Sequence, residues 1–237
     1  MADYEPNTDL NKLQTILGTQ FTDLDLLRSA ITHRSYLNEH KEATWEHNER
    51  LEFLGDAVLE LVITDFLYKK YPDKPEGDLT AVRAALVNTV SLAAASEQLE
   101  VNEFLLMSKG EAKDVGRARQ YILANTFEAC IGAIYMDQGY DAAQTFVANN
   151  LFAKTEEIVK KRLWQDAKSR FQELAQEHHS VTPTYETVAQ EGPDHDRVFT
   201  VGVCLRKQQI ATGTGRSKQE AEQAAAEAGM IVKGWDA

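Results

Sequence analysis

Basic residues are in short supply: 25 Lys and Arg stand against 37 Asp and Glu, a net charge of −12 over 237 residues. Taken whole, that deficit argues against a phosphate-rich partner, because nucleic-acid binding draws on clustered Lys and Arg. Only a local basic patch would reverse the argument. Cysteine is nearly absent. Cys130 and Cys204 sit far apart inside apolar patterns, which excludes a disulfide framework and fits a reducing compartment. No apolar run approaches the roughly 20 residues of a membrane span. The stretch MADYEPNTDL at the start has neither a basic nor an apolar leader segment. A cytoplasmic protein with no membrane partner is therefore expected. What is present is a 43% apolar chain, enough for a folded protein of one large domain or two smaller ones.

The segment NERLEFLGDAVLE (48–60) mixes Glu49, Glu52, Asp56 and Glu60 with leucines. On a helix, at 100° per residue, the four acids fall within about 80° of one another. Leu51, Leu54, Val58, Leu61 and Val62 fall on the opposite side, the expected core face. The polar face is all of one sign, and Glu52–Asp56 and Asp56–Glu60 are repulsive i,i+4 pairs. Phe53 lies beside the acids, not with the core. Two readings are open: a solvated helix face, or oxygen ligands for a divalent cation such as Mg²⁺. A second apolar helix is expected over QYILANTFEACIGAIYMDQGY (120–140), interrupted by Asn125 and Glu128 at i,i+3. These are either satisfied buried polar groups or further oxygen ligands.

Residues 8–160 read as helices. TDLNKLQTILG opens with Thr8 as N-cap and stops at Gly18; DLDLLRSAITH, the acidic helix and LTAVRAALVNTVSLAAASEQL follow. The loop KKYPDKPEGDLT (69–80) breaks the pattern. LLMSKGEAKDVGRARQ (105–120) carries Lys109, Lys113, Arg117 and Arg119, either a basic surface or an ordinary solvated loop. After KTEEIVKKRLWQDA the pattern changes, with a boundary near 162–167. AKSRFQELAQEHH is a helix; TPTYETVAQ, RVFTVGVCLRK and QQIATGTGR alternate as three strands; SKQEAEQAAAEAGMIVKG is a helix with Ser217 as N-cap and Glu220 in capping-box position. The expected fold is an all-helical domain over 8–160, followed by an α-β-β-β-α unit over 166–235. Arg216 and Lys218 stand at the amino end of the last helix, where free N–H groups and the helix dipole favour a phosphate. The loop GPDHDR carries His195.

NERLEFLGDAVLE closely resembles the signature of ribonuclease III, the double-stranded-RNA endonuclease, and ILANTFEACIGAIYMDQGY resembles its second catalytic segment. Residues 167–233 resemble a double-stranded-RNA-binding domain, with PTY, GPDHDRVF and GTGRSKQEAEQAAA in the expected order. The resemblance covers nearly the whole chain. It implies that Asp56 and Glu128 are catalytic, and that Glu52, Asp56, Asn125 and Glu128 bind Mg²⁺, for which Mn²⁺ can substitute. It makes Glu49 and Glu76 accessory acids, and Phe53 a plug for a socket on the second subunit of a homodimer. Gln172, Glu173 and His195 would face RNA grooves, and Arg216 and Lys218 would meet phosphates. The implied reaction cuts double-stranded RNA to 5′-phosphate and 3′-hydroxyl ends with short 3′ overhangs, acting on ribosomal RNA precursors and structured messengers. Two positions depart from the pattern. Asn125 stands where Asp is usual, so weaker metal binding is expected, and Gln219 stands where a second Lys is common. The alternative is a catalytically weakened RNA-binding regulator, with Asn125 as its mark. A helical scaffold with a solvated acidic face leaves the second unit unexplained.

Overall fold

The structure, a computed structural model, describes residues 6–113, 115–162, 164–193 and 197–235. The chain divides into two compact units, one running to Trp164 and one starting at Gln165.

Among the described residues the first unit is helical: α1 (Leu10–Leu17), α2 (Leu24–Ala30), α3 (Arg34–Glu39), α4 (Glu49–Lys70), α5 (Glu76–Leu86), α6 (Thr89–Gln98), α7 (Arg117–Gln138), α8 (Tyr140–Leu151) and α9 (Thr155–Lys160), with short 3-10 turns between some of them. The cap of α1 is Asp9, not Thr8. Its carboxylate accepts the N–H groups of Asn11 and Lys12, and a carboxylate suits the positive helix end better than a hydroxyl. The run expected to be continuous over 79–99 is broken, because the Asn88 side chain accepts the Ser91 N–H at 2.9 Å and starts α6 afresh.

Helices α4 and α7 form the centre. Two glycines set their crossing. A Cβ on Gly55 would lie 1.8 Å from the Glu128 carbonyl oxygen, and one on Gly132 would lie 2.1 Å from that of Leu51. The two backbones touch with no side chain between them. Around this contact α7 is buried on nearly every side, through Ile122, Leu123, Phe127, Cys130, Ile131 and Ile134. Leu61, expected in the core, is 56% exposed, while Leu59 is fully buried. A 22-residue helix is about 33 Å long, so the direction of the core turns beneath it; the later turns bury Ile63 and Leu67 instead.

The second unit comprises α10 (Ala167–His179), β1 (Thr184–Glu191), β2 (Val198–Leu205), β3 (Gln208–Gly215) and α11 (Lys218–Lys233). The strands form an antiparallel sheet in the order β1-β2-β3. Val203 and Leu205 of β2 pack with Phe171 and Ala175 of α10 and with Ala225, Ala226 and Met230 of α11. The alanines and Gly213 let α11 lie close on β3: a Cβ at Gly213 would come within 2.1 Å of the Ala225 nitrogen. Both cysteines are free and buried. Among the described residues no single helix is long and apolar enough to cross a membrane; α5 and α6 would pass only as a pair, and they are bent by 45°.

Candidate active site and RNA-binding surface

The glycine contact decides which side chains meet. Glu52 and Asp56 flank Gly55 on α4, and Glu128 is the α7 residue whose carbonyl Gly55 touches. The Asn125 amide lies near Glu52 and favours its ionised form. Glu128 is pushed up to about 7, first by burial and then by the charges of Asp56, Glu52 and Glu60. Glu52 is also raised, by burial and by Glu49 and Asp56, against the opposing Asn125 amide. Crowded carboxylates in a partly dehydrated place resist ionisation together.

The stripe is not uniformly unpaired. Arg34 of α3 lies 3.3 Å from Glu49, and Arg83 Nε of α5 lies 2.8 Å from Glu60. The compensating cations come from other helices, so they do not show on the α4 wheel. Among the described residues Glu52, Asp56 and Glu128 have no ion-pair partner. Glu76 opens α5 and is exposed; it accepts the Thr80 hydroxyl at 3.2 Å, and no described contact joins it to the other acids. Asp137, in the same α7 segment, is structural: its two oxygens accept the Thr22 and Asp23 N–H groups at 2.9 Å each.

No three His, Cys, Asp or Glu side chains among the described residues are gathered closely enough to hold a metal unaided. The donor chemistry nevertheless fits Mg²⁺. Carboxylates and an amide offer hard oxygens, three of the acids lack a cation, and Mg²⁺ typically takes only one or two carboxylates, filling the remaining positions with water and substrate oxygens.

Phe53 is 82% exposed. It lines a groove of about 700 Å³ together with Leu26, Trp45, Leu51, Leu54 and Met136 and with charged side chains that include Glu49 and Arg50. Leu61 and Tyr68 continue an exposed apolar line along α4.

In the second unit Gln172 and Glu173 line a concavity on α10 together with Ser169 and Gln176. The last two escaped the sequence reading, although the i, i+3, i+4, i+7 spacing places all four on one helix face. Glu173 accepts the Gln165 amide at 2.6 Å. Arg216 and Lys218 are both exposed at the start of α11. There Ser217 Oγ accepts the Glu220 N–H at 3.1 Å, and the Glu220 carboxylate accepts the Arg216 N–H at 2.8 Å. The cap therefore places an acid beside the two cations. His195 lies outside the described residues. Of the basic run in the first unit, Lys109, Lys113 and Arg117 are exposed, while Arg119 turns inward to Met107 Sδ and the Ala112 carbonyl, at 2.9 Å each.

Residues 23–155 match the ribonuclease-III-like family, and residues 167–231 match the double-stranded RNA binding motif. The chain is 46% identical over 218 residues to Ribonuclease 3 of Carboxydothermus hydrogenoformans, covering 92% of this chain and 93% of that protein. The chain belongs to the ribonuclease III family. Ribonuclease 3 of Streptococcus pneumoniae is 43% identical over 231 residues, 96% of this chain and 99% of that one. Among solved structures, the nuclease domain of ribonuclease III from Campylobacter jejuni matches with TM-score 0.54 and 40% identity, covering 60% of this chain and 98% of that domain. That nuclease domain has a region involved in dimer formation. The acids of α4 and α7 lie in the part of this ribonuclease III chain that matches the nuclease family, and α10 to α11 lie in the RNA-binding part.

Proposed function

We propose that this chain, a double-stranded-RNA endoribonuclease by family, works by metal-assisted hydrolysis between α4 and α7. The observation that carries the reading is the backbone contact of Gly55 with Glu128, which sets Glu128 beside Glu52 and Asp56 with no cation among the described residues paired to them. Mg²⁺, or Mn²⁺ in its place, would be held by Glu52, Asp56, the Asn125 amide oxygen and Glu128. When bound, such an ion acidifies a water and offsets charge on the leaving 3′ oxygen. Asp56 and Glu128 are the acids on which hydrolysis depends. Asn125 favours the ionised Glu52 carboxylate beside it, and Glu49 and Glu76 serve as accessory acids. The products are 5′-phosphate and 3′-hydroxyl ends with short 3′ overhangs.

The second unit reads duplex shape. Ser169, Gln172, Glu173 and Gln176 meet the wide minor groove and its 2′-hydroxyls, while Arg216 and Lys218 meet phosphates. His195 is assigned a further RNA contact by the family resemblance alone. The protein acts as a homodimer. Phe53 and the apolar groove share one face, so a two-fold pair would seat each phenylalanine in the partner's groove. The substrates are ribosomal RNA precursors and structured messengers of the cytoplasm.

The test is a gel assay of purified protein on a perfect RNA duplex with Mg²⁺, with Mn²⁺ and with chelator, against Glu128→Ala. Metal-dependent cutting that the variant lacks is expected. Binding without cutting in either metal would leave the RNA-binding regulator, the reading that Asn125 favours. Retention of Glu52, Asp56 and Glu128 favours the enzyme, since crowded acids cost stability unless function keeps them.

A further inference from the structure

Glu60 completes the acid stripe of α4, yet the reaction above gives it no task. It lies one turn beyond Asp56, and its charge reaches Glu128. Arg83 of α5 occupies it. The guanidinium Nε donates to Glu60 at 2.8 Å, and Nη1 donates to Thr64 Oγ1 at 2.8 Å. Thr64 in turn donates to the Glu60 carbonyl at 2.6 Å. The guanidinium is thus fixed against a single turn of α4. The two side chains of the pair are 31% and 38% exposed, so the pair stands at the edge of the cleft, neither in bulk water nor sealed from it.

We infer that Arg83 is a positioning residue for the cation of the cleft: it engages Glu60 and withholds that carboxylate from the set formed by Glu52, Asp56, Asn125 and Glu128. Without Arg83, Glu60 is a further free acid near Glu128. A divalent ion is then attracted more strongly, but toward a place displaced from Asp56 and Glu52. Arginine suits the task because its planar fork engages Glu60 and Thr64 at once, which a lysine ammonium on a flexible stem does less well. At the other end of the stripe Arg34 lies 3.3 Å from Glu49, a looser contact made, among the described residues, without a second bond to the helix. The inference rests on the metal-assisted reading.

Opposite changes in metal affinity and in rate are its signature, and a merely structural arginine would not produce them. The experiment uses the full chain and measures Mn²⁺ binding by calorimetry without RNA, alongside duplex cleavage at saturating Mg²⁺. Arg83→Gln is expected to bind Mn²⁺ roughly two- to fivefold more tightly, the scale of one partly exposed charge. The same variant should cut about tenfold more slowly, because a misplaced reacting group is costly. Arg83→Lys should keep the wild-type affinity. The double variant Glu60→Gln/Arg83→Gln should lose the tightening and regain most of the rate. Unchanged or weaker Mn²⁺ binding by a folded Arg83→Gln, or a double variant as slow as the single, overturns the inference. If Arg83→Gln does not fold, Glu60→Gln decides. It leaves an unopposed guanidinium at the cleft and should weaken Mn²⁺ binding roughly two- to fivefold, and unchanged affinity refutes the assignment. A wild-type chain that neither binds Mn²⁺ nor cuts duplex RNA refutes the metal-assisted reading itself, and this inference with it.

Discussion

Replacing Glu128 by glutamine should make the metal-free protein more stable at pH 8 and leave it unchanged near pH 4. The Glu128 carboxyl is raised from 4.5 to about 7 in the folded chain. Between those values the folded state holds a proton that the unfolded state has released, so stability falls as pH rises through this window. At 1.36 kcal/mol per pH unit, the full interval corresponds to about 3 kcal/mol. The carboxyl keeps partial contact with water, and screening reduces the figure to about 1–2 kcal/mol. Glu128→Gln removes the ionisation and keeps the shape, so it should recover that amount above pH 7, about 2–8 °C in the melting temperature of a unit this size. The assay is scanning calorimetry of the full chain in chelator at pH 4.5 and pH 8, following the transition of the nuclease unit. Mg²⁺ should stabilise the wild-type chain at pH 8 and the variant much less, while the variant loses cleavage. An equal gain at both pH values would trace the effect to packing, and no gain at pH 8 would refute the uncompensated carboxyl.

Other outcomes follow from the same geometry. Asn125→Asp exchanges a neutral amide that favours the Glu52 carboxylate for a further acid. It should lower the Mg²⁺ concentration for half-maximal cleavage and also lower the melting temperature in chelator, and no change in the Mg²⁺ requirement would count against Asn125 as a ligand. Gly55→Ala places a methyl group 1.8 Å from the Glu128 carbonyl oxygen, and denaturant titration should show a loss of about 3 kcal/mol or more. Phe53→Ala removes a side chain that is 82% exposed; it should weaken self-association about 30-fold, the scale of an interface hot spot, as read by sedimentation. Lys218→Ala should weaken binding to all duplexes alike and reduce the salt slope of RNA affinity by roughly one.

The RNA-binding unit was legible because its signals are local. Ser217 and Glu220 announce their cap within four residues, and the apolar alternation of β2 places Val203 and Leu205 together in the core. The acid stripe of α4 was legible as a face, but not the different surroundings of its members. Which acids have a partner depends on Arg34 and Arg83, carried by other helices, and no wheel drawn for α4 contains them. Leu61 was misplaced for a related reason: one wheel assumes one core direction, and α4 is too long to keep it. Asn88 broke a helix that periodicity alone would continue, because its side chain competes for backbone N–H groups. The crossing of α4 and α7 had no signal beyond two glycines, since a close approach is a property of a pair of segments.

That crossing bears on when the protein becomes dangerous to RNA. Gly55 and Gly132 are distant in the chain, and closing so long a loop is entropically costly until many contacts form together. As the nascent chain leaves the ribosome, Glu52 and Asp56 emerge long before Asn125 and Glu128. A partly made chain, or a fragment cleaved ahead of α7, lacks Glu128 among the acids of the proposed site and has none of the backbone contact that brings α4 and α7 together. On the proposed assignment of Glu52, Asp56 and Glu128, cutting competence would arrive only once α7 has been made, just before the RNA-binding unit follows it in the chain.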